Sequence, residues 1–463
     1  MSDFFVHYPI HDSGPPITNK KPATESSSRG ANDRHPISLA DQIFLQMPKE
    51  IVGKIIEPTH VPMMAGVSNA TRQKIKDDRI EFELTVEQLK VHLGPERLFE
   101  SLTAAVNTYT FIKLEFSKFR ITQEWVQALS NVVAHCASLK YLDLCECRIG
   151  NAGIQALEAA WANCALLEHV NLSLNNIGPQ GGSCLATLLT HCTALVHLDL
   201  KNNRLESDGI TSMANVTGEN LRLSYLDLEG NKLDDDAGYD LERLLYHFPG
   251  ITHLNLTRNL LEDEAVACLA RVFKRCERLK HLSLRWNGIQ TKGAGILANA
   301  LKKTKTLENF SIGRNYIQGN GVALLCTSLG KLPVLKIVDF EMCAMKDMGL
   351  FLALPELTKF KALESLNLAV NDLYASIESL CEELVKFNTL EKLNLSNNRI
   401  VLKDVEHLLH ALIQSPRLQS IYLHNNKKAN EISTAKTHLQ EELTLTRNTR
   451  MDARGNLYNV TDV

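Results

Sequence analysis

The sequence predicts an α/β solenoid, a horseshoe with parallel β-strands on the concave face and helices on the convex face, preceded by a small helical segment. Three observations predict it. A strand pattern, L-x-x-L-x-L-x-x-N/C-x-L, starts at Phe111, Leu139, Leu167, Leu195, Leu223, Ile251, Leu279, Leu307, Leu335, Leu363, Leu390 and Leu418. Every step is 28 residues except Leu363 to Leu390, which is 27; chance does not hold such a register through a whole chain. Between successive patterns lie a Gly-containing turn and an amphipathic stretch, as in IGNAGIQALEAAWANC and IQTKGAGILANALKKT. Residues of the type Ala156, Leu157 and Ala160 recur there at helical spacing and are expected to pack on the sheet.

Each position of the pattern has a physical reason. The fourth and sixth residues alternate as in a strand, so Leu142/Leu144, Leu198/Leu200 and Leu254/Leu256 point into one core. The ninth is Asn175, Asn203, Asn231, Asn259, Asn287, Asn315, Asn371, Asn398 and Asn426. A buried amide must be satisfied, and backbone groups of neighbouring turns can do so along a ladder. Cys147 and Cys343 hold the same position as small buried residues, and Cys136, Cys164, Cys192 and Cys276 end helices three residues before a strand pattern.

Period, strand–helix alternation and the Asn/Cys position together resemble the ribonuclease-inhibitor subclass of leucine-rich repeats, over residues 111–428. The resemblance implies the fold and leaves the ligand open. A capping repeat is expected over 79–110, with Phe82, Leu84 and Leu89 matching Leu114, Phe116 and Ile121 at a distance of 32 residues. Beyond the array, 429–445 reads as a closing helix and 446–463 as a polar tail.

Residues 1–36 are rich in Pro, Ser, Thr and Asn and read as disordered. From Ile37 to Asp78 the chain resembles an F-box, a helical module that docks on a Skp-type adaptor of cullin ubiquitin ligases. The residues that carry the likeness are Met47-Pro48, Glu50-Ile51, Ile55-Ile56, Met64, Val67-Ser68, Arg72 and Ile75. Pro48 suits a first helical turn, where its missing N–H costs nothing. The resemblance implies adaptor contact through Met47, Pro48, Ile51, Ile55, Ile56 and Val67. Pro58, Pro62 and Gly66 depart from the family pattern, and its later Trp is absent.

Composition narrows the function classes. Lys and Arg total 50 against 53 Asp and Glu, a net charge of −3, which gives no basic surplus for a nucleic-acid partner. The first residues lack a basic stretch followed by an apolar one, no apolar run of about 18 residues occurs, and the 11 cysteines are scattered. The expectation is an intracellular, cytoplasmic protein without membrane insertion. P-loop, nucleophile-elbow and zincin signatures are missing, so neither catalysis nor a cofactor or metal is expected. Cys145 and Cys147 form a C-x-C that strand alternation already explains, and the sequons at Asn171, Asn255, Asn309 and Asn394 fall inside strands.

Candidate binding residues come from reading the concave columns. The third position gives Tyr141, His169, His197, Tyr225, His253 and His281 in unbroken succession, flanked by Lys113 and Asn309. Strands about 4.8 Å apart would let these rings stack. The seventh and eighth positions give Arg258, then Arg285 and Trp286, then Arg314, then Glu341 and Met342. A Trp among arginines has the composition of a protein-binding hot spot. A protein ligand on the concave face is therefore the leading expectation. With the F-box resemblance it sharpens to a substrate-recognition subunit of a cullin ubiquitin ligase, a layout that bacterial effectors acting in a host cytoplasm also use. The alternatives are a small-GTPase activator similar to Ran GTPase-activating proteins, whose acidic tail this chain lacks, and a plain interaction scaffold.

Overall fold

The computed structural model describes residues 81–85, 102, 106, 110–216, 222–415, 417–426, 449–451 and 457–459. Its strands are β1 Glu81–Thr85, β2 Thr110–Glu115, β3 Tyr141–Asp143, β4 His169–Asn171, β5 His197–Asp199, β6 Tyr225–Asp227, β7 His253–Asn255 and β8 His281–Ser283. They continue as β9 Asn309–Ser311, β10 Ile337–Asp339, β11 Ser365–Asn367, β12 Lys392–Asn394, β13 Ser420–Tyr422, β14 Thr449–Met451 and β15 Leu457–Asn459. The twelve strands β2 to β13 are the predicted repeat strands. Each pairs in parallel with the next, so Tyr141, His169, His197, Tyr225, His253, His281 and Asn309 are direct register partners in turn. This is a leucine-rich-repeat solenoid.

Helices return the chain from each strand to the next: α1 Gln123–His135, α2 Gly150–Trp161, α3 Gly182–His191, α4 Glu206–Met213, α5 Ala237–Tyr246 and α6 Asp263–Phe273. They are followed by α7 Thr291–Leu301, α8 Gln318–Leu329, α9 Lys346–Leu357, α10 Ile377–Leu384 and α11 Leu402–Gln414. Strand leucines and helix residues such as Leu157, Ala160 and Trp161 share one continuous core, while Ala156 is half-buried against it. Each leucine so buried contributes on the order of 2 kcal/mol, so the core grows by a similar amount with every turn. The helix-ending Cys136, Cys164, Cys192 and Cys276 are all buried. Burial pushes the Cys136 and Cys164 thiols up to about 12, which leaves them inert packing residues at neutral pH.

The ninth-position asparagines form the expected ladder. Asn315 Nδ2 donates to the Leu284 carbonyl one turn back (2.8 Å) and to Ile312 (2.7 Å). Its Oδ1 accepts the N–H groups of Asn287 (2.9 Å) and Ile289 (3.0 Å). Cys147 and Cys343 keep only the donating arm of that pattern, their thiols donating to Phe116 and Ile312 carbonyls at 3.0 and 3.7 Å.

The two ends differ from expectation. β1 does precede the array and pairs with β2, but Leu84 lies opposite Leu114 rather than Phe116, and Phe82 opposite Phe111. The register shifts between Phe82 and Glu83, a bulge that changes the repeat length locally and defeats a fixed 32-residue offset. At the other end, 446–463 is not simply a polar tail. β15 pairs antiparallel with β13 and β14 with β15, so a returning pair extends the sheet past its last repeat and covers the edge of β13. The expectations for residues 1–36, for the F-box-like segment 37–78 and for the closing helix 429–445 lie outside the described residues.

Candidate functional site: the concave face

Three side-chain columns stand on the concave face, at the third, fifth and eighth positions of the repeat. The third is a ring ladder. Centroids follow at 6.0 Å from Tyr141 to His169, 5.4 Å to His197, 3.9 Å to Tyr225, 5.7 Å to His253 and 4.0 Å to His281. Its ends are capped. Lys113 Nζ sits 5.0 Å from the Tyr141 ring, and Asn309 Nδ2 lies 2.7 Å from His281 Nδ1. An amide nitrogen can only donate, so His281 accepts at Nδ1 and carries its ring proton on Nε2. Burial lowers the pKa of His197 to about 4, with His169 and His253 adding to the effect. Burial likewise lowers His253 and His281. His197, His253 and His281 are therefore uncharged at neutral pH, which is what allows the His253 and His281 imidazoles to stack face to face.

The eighth column is built on strained backbone. Arg258, Trp286, Arg314, Met342 and Val370 all adopt left-handed φ, between 51° and 60°, as do Glu146, Leu174, Asn202, Asn397 and Asn425 in other turns. The chain must turn sharply out of each strand here. A non-glycine residue accepts that conformation at a cost of about 1 kcal/mol, and the side chain is thereby aimed along the rim of the sheet.

At this position Trp286 is 45% exposed. Arg258 and Arg314, one turn to either side, place their guanidinium carbons 5.4 and 5.3 Å from its ring centroid. Cation–π attraction on both sides fixes the indole. Arg314 Nη2 also pairs with Glu341 Oε1 at 2.8 Å, and Arg285 Nη2 with Glu341 Oε2 at 3.0 Å. Arg285 Nη1 pairs in turn with Asp339. Burial works against the Arg285 charge, but Asp339 and Glu341 outweigh it and its pKa is raised. Arg258 has no carboxylate partner among the described residues. Met342 stands exposed in the same column, two turns beyond Trp286.

The fifth column carries what column reading of the sequence missed. It runs Asp143, Asn171, Asp199, Asp227, then Asn255, Ser283, Ser311, then Asp339. Where it shrinks to Ser283 and Ser311, the face dips into a concavity of about 280 Å³, lined also by Tyr225, His253, His281, Asn309 and Ile337. The ladder's last rings thus form one wall. A hydrogen-bonded chain leads from the dip to the Trp: Ser311 Oγ donates to Asp339 Oδ2 at 2.6 Å, Asp339 pairs with Arg285, and Arg285 shares Glu341 with Arg314. Tyr141, His169 and His197 lie further along the ladder, away from the dip. Met47, Pro48, Ile51, Ile55, Ile56 and Val67 lie outside the described residues.

Acidic groups crowd the face before the dip. Asp199 is pushed up to about 6 by burial, with Asp227 and Asp143 raising it further. Burial also raises Asp143 and Asp227. Lys201 pairs with Glu229 at 2.9 Å, and Asn255 Nδ2 donates to Asp227 and Glu229 at 2.9 and 3.2 Å. On the convex side, Met348, Phe351 and Leu352 of α9 are exposed, an apolar stripe at helical spacing. Among the described residues no helix is long and apolar enough to cross a membrane.

Comparison with known proteins supports the repeat assignment. The family model described as Leucine Rich repeat matches residues 135–157, 163–186, 191–214 and 275–298, and a second Leucine Rich Repeat model matches 389–411. The chain carries leucine-rich repeats. A search of the curated proteins finds no match. Among solved structures it is similar to a chain of a TLR13–ssRNA13 complex, at 21% identity and a TM-score of 0.47, covering 73% of this chain and 45% of that one. It is also similar to the internalin inlF of Listeria monocytogenes, at 19% identity and a TM-score of 0.39, covering 70% of this chain and 94% of that one. A chain of the yeast Rad7–Elc1 complex matches at 14% identity and a TM-score of 0.38, covering 79% of this chain and 94% of that one.

Proposed function

We propose that the chain is a protein-binding scaffold whose concave face captures a partner at the Arg258–Trp286–Arg314 stack and the adjoining dip. The observation that carries this reading is the half-exposed Trp286 held between two guanidinium groups. A large aromatic side chain that is already immobilised loses little freedom on binding, which is the physical basis of a hot spot. At about 280 Å³ the dip sits at the lower end of ligand pockets, which run from about 300 to 1,000 Å³. It suits a side chain or segment of something larger. Binding, not chemistry, is what these groups offer.

The segment 37–78 supports a sharper form of the reading. If Met47-Pro48, Ile51, Ile55 and Ile56 dock on a Skp-type adaptor, the chain is a substrate-recognition subunit of a cullin ubiquitin ligase, and it serves by proximity. Affinity purification of the intact chain with mass spectrometry tests both levels. An adaptor lost on combined Pro48→Ala and Ile51→Ala substitution supports the ligase role; its absence from the intact chain's partners removes that role and leaves the scaffold. A GTPase-activator role draws support only from concave arginines, and two of these, Arg285 and Arg314, are held by Asp339 and Glu341.

A further inference from the structure

The concave face carries opposite charge on its two halves. At the third, fifth, seventh and eighth positions of the β3 to β6 turns, Asp143, Glu146, Asp199, Asp227 and Glu229 stand against Lys201, which is paired with Glu229; further along the same turns Lys232 is paired with Glu206. On the turns of β7 to β9 the charges are Arg258, Arg285 and Arg314, with Asp339 and Glu341 of the next turn committed to the last two. Arg258 stands where the sign changes, pinned on Trp286 but without an ion pair among the described residues.

The dip between the columns also carries free hydrogen-bonding capacity. The Ser311 hydroxyl hydrogen goes to Asp339, and the Asn309 amide nitrogen faces His281. Ser311 keeps oxygen lone pairs, and Asn309 keeps its carbonyl oxygen and a second N–H. A polypeptide backbone running across the strands supplies both N–H and C=O groups at regular intervals.

Resting on the scaffold reading above, we infer that the face takes an extended segment of a partner protein that carries an acidic side chain three to four residues from a basic one. The carboxylate meets Arg258 at the exposed edge of Trp286. Beyond Trp286 the segment continues into the dip at Asn309 and Ser311 on β9, while on the other side of Arg258 its basic side chain meets the acidic turns around Asp199 and Glu229. The spacing follows from the sheet. From β5 to the Arg258–Trp286 turns is about two and a half strand spacings, or ~12 Å, which an extended chain covers in three to four residues. An all-acidic segment would meet like charge over β3 to β6, and an all-basic one would meet Arg258, the arginine of β7 to β9 without an ion pair among the described residues.

The test pans a displayed random peptide library on the full chain. It then measures Gly/Ser-based probe peptides by fluorescence anisotropy, with one Glu and one Lys four residues apart, two Glu, two Lys, or phosphoserine and Lys. The expected result is enrichment of the mixed-charge spacing, with the Glu/Lys probe bound about tenfold more tightly than either like-charged probe. Arg258→Glu should erase that preference, and Trp286→Asn should weaken all binders. Equal binding of the two-Glu probe overturns the proposal. A phosphoserine probe bound more than about tenfold better than the Glu probe also overturns it, in favour of a phosphorylated ligand. Enriched peptides that need Trp286 but share no charge pattern overturn the proposal and leave the scaffold reading standing. Peptides indifferent to Trp286→Asn overturn the scaffold reading itself. A library without binders refutes the extended segment, because a rigid face should retain one.

Discussion

Arg314 touches Trp286 and Glu341 at once, its guanidinium carbon 5.3 Å from the indole centroid and its Nη2 2.8 Å from the carboxylate. The carboxylate fixes the plane of the guanidinium, and the guanidinium fixes one face of the ring. Arg258 holds the other face without such an anchor. The two arginines therefore do different work: Arg314 positions the indole, and Arg258 presents charge.

Trp286→Asn separates binding from folding better than Trp286→Ala. Asn tolerates left-handed φ, and Asn202, Asn397 and Asn425 already hold the equivalent position in other turns. The variant should keep the melting temperature within a few degrees. Its affinity for a captured partner should drop by about 2 kcal/mol, or some thirtyfold. Calorimetry on the purified complex checks both numbers, and full affinity with the ring gone would remove Trp286 from the interface.

Glu341→Gln should weaken binding without touching a ligand contact. The neutral amide loses the ion pairs to Arg285 and Arg314, so the indole is held less firmly and binding must order it. The expected loss is about 1 kcal/mol, smaller than for Trp286→Asn. It should appear as faster dissociation with little change in association rate. An unchanged dissociation rate would show that Arg314 needs no anchor.

Acid should act on the ladder in a way one substitution can expose. His197 titrates near 4 in the folded chain, below its ordinary value of 6.5. The unfolded chain thus binds the extra proton first, and stability supplied by neutral His197 is lost as pH falls from 6.5 toward 4. Asp199, raised to about 6, has the opposite sign: the folded chain takes up the proton first, so the same fall in pH favours folding. The two slopes oppose each other in wild-type protein. His197→Tyr keeps a ring in the column, as at Tyr141 and Tyr225, and removes only the first slope. Its melting temperature relative to wild type should rise as pH drops from 6.5 to 4; a constant difference would mean His197 does not titrate below its ordinary value.

These cases also show what the sequence could and could not disclose. The ladder and the eighth column were legible because residues 28 apart must be register partners once the period is known, as Tyr225, His253 and His281 are. Side-chain reach was not legible: Arg285 skips a turn to meet Asp339, 54 residues on, which depends on rotamers rather than period. The dip was hidden because it is made by small residues, Ser283 and Ser311, whose effect is the space they leave. At the ends the period itself fails. The bulge after Phe82 shifts the first register, and β14 and β15 close the sheet with antiparallel pairing that no repeat pattern encodes.

The asparagine ladder gives the sharpest stability test, because nature has run half of it at Cys343. Asn315 donates to the Leu284 and Ile312 carbonyls and accepts the N–H groups of Asn287 and Ile289 on the preceding turn, all inside the core. Asn315→Ala leaves the N–H groups of Asn287 and Ile289 and the carbonyls of Leu284 and Ile312 short of a partner. It should cost on the order of 3–5 kcal/mol, less than four separate penalties because the turn can relax. Asn315→Cys should cost less than Asn315→Ala, since a thiol recovers one weak donation, as Cys343 does to Ile312 at 3.7 Å. The reciprocal change, Cys343→Asn, restores the amide that flanking turns are built to receive, and should gain about 1 kcal/mol. Chemical denaturation of the three variants orders them directly. If Cys343→Asn is neutral or destabilising, the turn at Cys343 has repacked around sulfur, and the ladder is not one continuous device along the solenoid.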